Sequence, residues 1–134
     1  MSKTALVVDD AAVVRQLCAL TLKRLGFDVI EAVNGSDALE KTKGIDLHFI
    51  VTDMNMPVMD GIELVKQLRQ REETRFVPII ILSTVSQQHK VNEGKAAGAS
   101  GWIFKPFDAT KLTQTVMKFL GSNSASFVVD AVAG

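Results

Sequence analysis

At 134 residues the chain has the length of one compact domain, enough to bury roughly 70% of its unfolded surface. Apolar residues make up 47% of it, which excludes wholesale disorder. Its 15 basic and 15 acidic residues cancel, leaving no electrostatic footprint for nucleic acid or an anionic membrane surface. The single cysteine, Cys18, excludes an internal disulfide and reads as a small buried residue, in keeping with a reducing compartment. The opening Met1-Ser2-Lys3-Thr4 leads into an apolar run too short for a signal peptide. No stretch approaches the ~20 apolar residues of a membrane span. A soluble, cytoplasmic protein without membrane insertion is expected.

Ala5-Leu6-Val7-Val8 is apolar on successive residues, as a strand buried on both faces is, and it stops at Asp9-Asp10. Val14, Leu17, Cys18, Leu22 and Leu25 then recur at helical spacing, and Gly26 ends that helix. Phe27 to Ala32 is a second, weaker strand. Asn34 or Ser36 is placed to cap a short helix through about Lys43. Leu47 to Thr52 forms a third strand that stops at Asp53. Asp60 caps the following helix, whose apolar face is Ile62, Leu64, Val65 and Leu68 and which ends near Arg71. Glu72, Glu73 and Arg75 are expected in a loop.

Val77 to Leu82 is the most apolar run and stops at Ser83-Thr84; Pro78, lacking an N–H, belongs at its start. Gln87 to Ala97 reads as a helix with few large anchors beyond Val91. Gly98 to Gly101 turns the chain into a fifth short strand, Trp102-Ile103-Phe104, which stops at Lys105-Pro106. Asp108 caps a last helix with Leu112, Val116, Phe119 and Leu120 on one side. Five successive βα units imply a parallel sheet with right-handed crossovers, and five are too few to close a barrel.

In a parallel sheet all the strand ends lie on one edge, the edge where open α/β sheets bind ligands. Asp9, Asp10, Asp53, Ser83 and Lys105 therefore converge. Any one of them alone reads as an ordinary polar strand end or helix cap; together they define a site. Three neighbouring carboxylates repel one another, and a hard cation relieves that. Oxygen-only ligands favour Mg²⁺, which with few carboxylates keeps waters and leans on a phosphate. Lys105 and Ser83 complete a clamp for a phosphoryl group. There is no Walker-type glycine loop, so a nucleotide is not the obvious ligand.

These pieces resemble the receiver domain of two-component response regulators, most closely the single-domain, CheY-like chemotaxis type. The match runs through Val7-Val8-Asp9-Asp10, Asp53-Met54-Asn55-Met56-Pro57-Val58-Met59-Asp60-Gly61, Ser83, Gly98-Ala99-Ser100-Gly101 and Lys105-Pro106-Phe107. The resemblance implies a flavodoxin-like (βα)5 sandwich, doubly wound, its five parallel strands in the order 2-1-3-4-5. It implies that Asp53 is the phosphoacceptor, taking a phosphoryl group from the phosphohistidine of a histidine kinase. Asp10, Asp53 and the Asn55 backbone carbonyl are the implied Mg²⁺ ligands, with Asp9 acting through water. Lys105 pairs with the phosphoryl oxygens, Ser83 swings to meet them, and Trp102 is the aromatic that changes rotamer with Ser83. A cis Lys105-Pro106 peptide is implied as well.

The implied output is binding of a downstream target, a motor component or a phosphorelay protein, through the fourth and fifth helices and fifth strand. Chemotaxis is the leading pathway, with a phosphorelay intermediate or a phosphate sink as alternatives, and a monomer is expected. The chain departs from the family in carrying Thr84-Val85 after the switch hydroxyl, where a small residue is usual; the bulk points to slower autodephosphorylation. Residues 1–121 are expected to be the receiver and 122–134 a flexible tail, whose Phe127-Val128-Val129-Asp130-Ala131-Val132 run has the alternative of docking on an edge or a neighbour as an added strand. Two other readings are weaker. A haloacid dehalogenase-type phosphatase wants an Asp where Asn55 stands, and a flavodoxin-like carrier would face its FMN phosphate with three carboxylates.

Overall fold

A computed structural model describes residues 3–120 and 127–130. Its parallel sheet has six strands: β1 (Lys3–Val8), β2 (Phe27–Ala32), β3 (Phe49–Asp53), β4 (Ile79–Ser83), β5 (Gly101–Phe104) and β6 (Val128–Asp130), in the order β2-β1-β3-β4-β5-β6. The helices are α1 (Ala12–Arg24), α2 (Gly35–Lys41), α3 (Gly61–Gln70), α4 (Gln88–Ala97) and α5 (Ala109–Leu120).

Alternation along the central strands divides the core in two. Leu6, Val8, Ile50, Ile79, Ile81 and Trp102 face Ala38 of α2, Leu64, Val65 and Leu68 of α3, and Val91 of α4. Ala5, Val7, Val51, Ile80, Leu82 and Ile103 face Cys18 and Leu22 of α1 and Leu112 and Val116 of α5. Both faces are covered, which is why β1, β3 and β4 read as unbroken apolar runs rather than alternating ones.

Local chemistry sets the helix ends. Asn34 accepts from the Asp37 N–H at 2.7 Å, so it, not Ser36, caps α2. Asp60 accepts from Glu63 N–H and Asp108 from Lys111 N–H, each at 2.8 Å, as N-caps do. Gly26 follows α1 at φ 98°, a conformation that costs a residue with a Cβ. Arg69 closes the far end of α3: its Nε donates to Gly98 O at 2.9 Å and its Nη1 to Val77 O at 2.6 Å. It thereby ties α3 to the chain entering both β4 and β5.

Beyond shifts of one or two residues at element ends, such as β3 starting at Phe49 rather than Leu47 and β4 at Ile79 rather than Val77, the structure departs from the sequence expectations in three places. Glu72–Thr74 forms a short 3-10 turn rather than open loop, with Arg75 N–H bonded back to Glu72 O. Leu120 is half-exposed rather than part of the α5 core face. The expected order 2-1-3-4-5 is present, but Val128–Asp130 adds a sixth strand beyond β5. Of the tail expected to be flexible, that segment is paired; residues 121–126 and 131–134 lie outside the described residues.

Candidate functional site

The carboxyl edge of the sheet gathers the predicted side chains. Asp9 follows the last residue of β1, Asp53 ends β3, Ser83 ends β4 and Lys105 follows β5. The register sets Asp53 beside Leu82 and Ser83 beside Phe104, which brings the three inner strand ends level. One oxygen from each of Asp9, Asp10 and Asp53 lies within 4.8 Å of the others. Asp9 is fully buried and Asp53 is 5% exposed, whereas Asp10 is open to solvent.

Lys105 reaches into this cluster from the β5 side. Its Nζ stands 2.8 Å from Asp53 Oδ1 and 3.5 Å from Asp9 Oδ2. Burial works against the ammonium, but the hydrogen bond and charge of Asp53, and then the charge of Asp9, outweigh it and raise the Lys105 pKa. Burial pushes the Asp9 carboxyl above its ordinary range. The Asp53 charge adds to the rise, and the Ala11 N–H and Lys105 oppose it.

The loop after Asp53 is shaped by contact. Gly61 N–H returns to Met54 O at 2.8 Å, and a Cβ at Gly61 would collide with the Asp53 carbonyl oxygen. No other residue type allows the start of α3 to sit this close to the end of β3. Val58 holds φ at 74°, a left-handed conformation rarely taken by a β-branched residue. Met59 packs where a Cβ on Gly35 would sit, fixing the loop against α2. Asn55 lies in this loop, exposed, two residues beyond Asp53.

The remaining predicted residues take distinct places. Ser83 is buried and its Oγ accepts from Val85 N–H at 2.8 Å, so the hydroxyl is engaged with its own loop. Thr84 is exposed and, with Lys105, Phe107 and Val13 and Leu17 of α1, lines an apolar groove of about 450 Å³ beside the cluster. Trp102 of β5 pairs with Ile81 of β4. It is fully buried under α4, where a Cβ on Gly94 would stand 2.6 Å from its ring. The Lys105-Pro106 peptide is cis.

Sequence reasoning missed Arg15. Its Nη1 donates to the Asp9 carbonyl at 2.9 Å while its Nε pairs with Glu31 at 3.2 Å, anchoring the end of β1 from α1 and β2. The signal was a lone basic residue one turn into α1, on the same side as the apolar positions.

The geometry defines an acidic pocket with one ammonium, at the carboxyl edge of a doubly wound sheet. Residues 5–117 match the response regulator receiver domain family, and the chain belongs to it. The chain is 38% identical over 114 residues to chemotaxis protein CheY-3 of Vibrio cholerae, covering 84% of this chain and 88% of that one. The solved structure of chemotaxis response regulator CheY4 of Vibrio cholerae superposes with a TM-score of 0.83 at 39% identity, over 88% of this chain and 98% of that one. The receiver domain of sensor histidine kinase PA1611 from Pseudomonas aeruginosa superposes with a TM-score of 0.80 at 27% identity, over 91% of this chain and all of that one. That structure holds a magnesium ion coordinated in its active-site cleft.

Proposed function

We propose that the protein is a phosphorylation-activated signalling switch, with Asp53 as phosphoacceptor. The observation that carries this is the Lys105 ammonium 2.8 Å from Asp53, beside two further carboxylates. A carboxylate at the end of a fully paired strand is held still, and one of its oxygens is already engaged by Lys105. The other is left to attack phosphorus. In that step the new bond forms from the Asp53 oxygen to phosphorus. The bond from phosphorus to the imidazole nitrogen of a histidine kinase breaks, and the nitrogen keeps the electron pair. Lys105 then balances charge on the phosphoryl oxygens. Return to the resting state is attack of water on phosphorus, with the bond to Asp53 breaking.

The donor set suits Mg²⁺: three carboxylates, all oxygen, one of them open to solvent. Asp10 and Asp53 would hold the ion with the Asn55 carbonyl, and Asp9 through water. When bound, Mg²⁺ supplies positive charge against the phosphoryl oxygens. The ion in the related cleft of the PA1611 receiver supports this assignment.

Ser83 and Trp102 form the readout in this account. Ser83 leaves the Val85 N–H for the phosphoryl group, and the change is passed through β5 to the surface of α4, β5 and α5. That surface binds the downstream target. The similarity to chemotaxis proteins favours a chemotaxis pathway, with a motor component as target; a phosphorelay protein is the alternative. The cycle makes the chain a switch rather than a multiple-turnover enzyme. We place it in the cytoplasm; among the described residues no helix is long and apolar enough to cross a membrane.

An acyl phosphate is cleaved by neutral hydroxylamine and a phosphoserine is not. Protein treated with acetyl phosphate and Mg²⁺ should carry a phosphoryl group that hydroxylamine releases. A hydroxylamine-stable phosphoryl group would place the chemistry on a hydroxyl and overturn the proposal.

A further inference from the structure

β5 would end the sheet but for β6. Val128 N–H donates to Ser100 O at 3.0 Å, and Val128, Val129 and Asp130 run parallel to Gly101, Trp102 and Ile103. Close approach depends on Gly101, since a Cβ there would stand 2.7 Å from Val128 O. Just before the strand, Phe127 packs on the cluster that contains Trp102 and Val91, with Lys95 of α4 5.6 Å from its ring centroid. On the other side of β5, Phe119 of α5 reaches to 3.6 Å of the Cβ position at Gly101. The segment therefore covers the edge of β5 beside α4.

The hold is slight. Three residues pair, and Val129 stays 42% exposed. An exposed strand edge is a site for an added strand, with affinity from backbone hydrogen bonds and selectivity from alternate side-chain pockets. Here one side chain, Phe127, already packs on the cluster that holds Trp102 and Val91, beside Lys95 of α4.

We propose that Phe127–Asp130 is a built-in competitor for this face. It adds to the β5 edge in cis, and a partner protein that reads the edge through an extended segment with an aromatic anchor must displace it. That the edge is the output surface rests on the function proposed above; its occupation by the tail does not. Six residues, Gly121 to Ser126, join α5 to the segment. A short tether gives an effective concentration in the millimolar range, so a segment docked most of the time in cis should bind in trans at about a millimolar or tighter.

The test uses the full chain with no phosphodonor, so its failure is separable from failure of the phosphoryl chemistry. Val128→Pro removes the N–H bonded to Ser100, and Phe127→Ser removes the anchor; both lie outside the receiver core. Amide exchange by NMR should show Val128 protected at least ten-fold in the wild-type chain, and less so in Phe127→Ser. A synthetic peptide of residues 125–134, titrated to several millimolar, should shift the β5 resonances of the Val128→Pro chain, and those of the wild type at least ten-fold more weakly. Free-chain exchange at Val128, equal peptide affinity for both chains, or no binding to Val128→Pro overturns the proposal. Protection that grows with protein concentration overturns it too, by showing the strand exchanged between two copies.

Discussion

Lys105 Nζ and Asp53 Oδ1, 52 residues apart in sequence, meet at 2.8 Å with both side chains largely shielded from water. Among the described residues the ammonium is the cation paired with the carboxylates of Asp53 and Asp9, so its removal has two opposite effects. In Lys105→Met the carboxylates lose their counter-charge, and stability in EDTA should fall by about 1–3 kcal/mol. The site also loses the charge that repels a metal, so Mg²⁺ should bind the variant more tightly than the wild type. Urea unfolding with and without Mg²⁺ reads both. A variant as stable as wild type in EDTA, with unchanged Mg²⁺ stabilisation, contradicts this account of the pair.

Thr84 follows the buried Ser83 and is exposed on the groove wall beside Lys105. Under the proposed function, its side chain is expected to narrow the approach of water to a phosphoryl group on Asp53. Thr84→Ala should speed loss of the phosphoryl group by roughly 2–10-fold, a barrier change of about 0.4–1.4 kcal/mol. Decay after removal of the phosphodonor measures it, and unchanged or slower decay removes Thr84 from the account.

Gly94 lies in α4 against the ring of Trp102. Alanine normally favours a helix over glycine by about 1 kcal/mol. Here its Cβ would meet a fully buried ring at 2.6 Å, and overpacking of that kind costs about 1–3 kcal/mol. Gly94→Ala should therefore be net destabilising. It should also change the emission of Trp102, the only tryptophan of the chain. A stabilised variant with wild-type emission would show that the ring moves aside freely. Trp102 Nε1 is buried without a hydrogen-bond partner among the described residues, an arrangement that costs about 1–3 kcal/mol and leaves the buried ring position only modestly favoured.

Cys18 is buried between α1 and the sheet, and burial, with the charge of Asp9 adding to it, pushes its thiol up to about 12 from an ordinary 9.0. The folded state thus prefers the neutral thiol. The stability this contributes is intact below pH 9 and is lost as pH rises towards 12. Iodoacetamide at pH 8 should leave the native chain unmodified and alkylate it once unfolded in urea. Rapid alkylation of the native chain would show the thiol to be accessible.

The sequence made the strand ends legible because physics leaves few choices there. Apolar runs buried on both faces must stop somewhere, and Asp9, Asp53, Ser83 and Lys105 mark where. Parallel topology then forces those stops onto one edge, so the cluster could be assembled without coordinates. The contacts of Ser83 and Trp102 were less legible. Ser83 engages Val85 N–H, and Trp102 is buried under α4 against Gly94; neither fact is encoded by spacing. Arg15 escaped notice because its partners, the Asp9 carbonyl and Glu31 of β2, are brought to it only by the fold. β6 was ambiguous for a different reason: three residues carry too little periodicity to separate an added strand from a loose end, and only the open β5 edge decides between them.

The central claim is that Asp53 takes a phosphoryl group with help from a metal held by its neighbours. Intact-mass measurement after incubation with acetyl phosphate tests it directly. The account predicts a gain of one phosphoryl group in the wild-type chain that requires Mg²⁺, disappears in EDTA and is absent in Asp53→Asn. No gain in the wild type, or a gain that persists in Asp53→Asn, would contradict it.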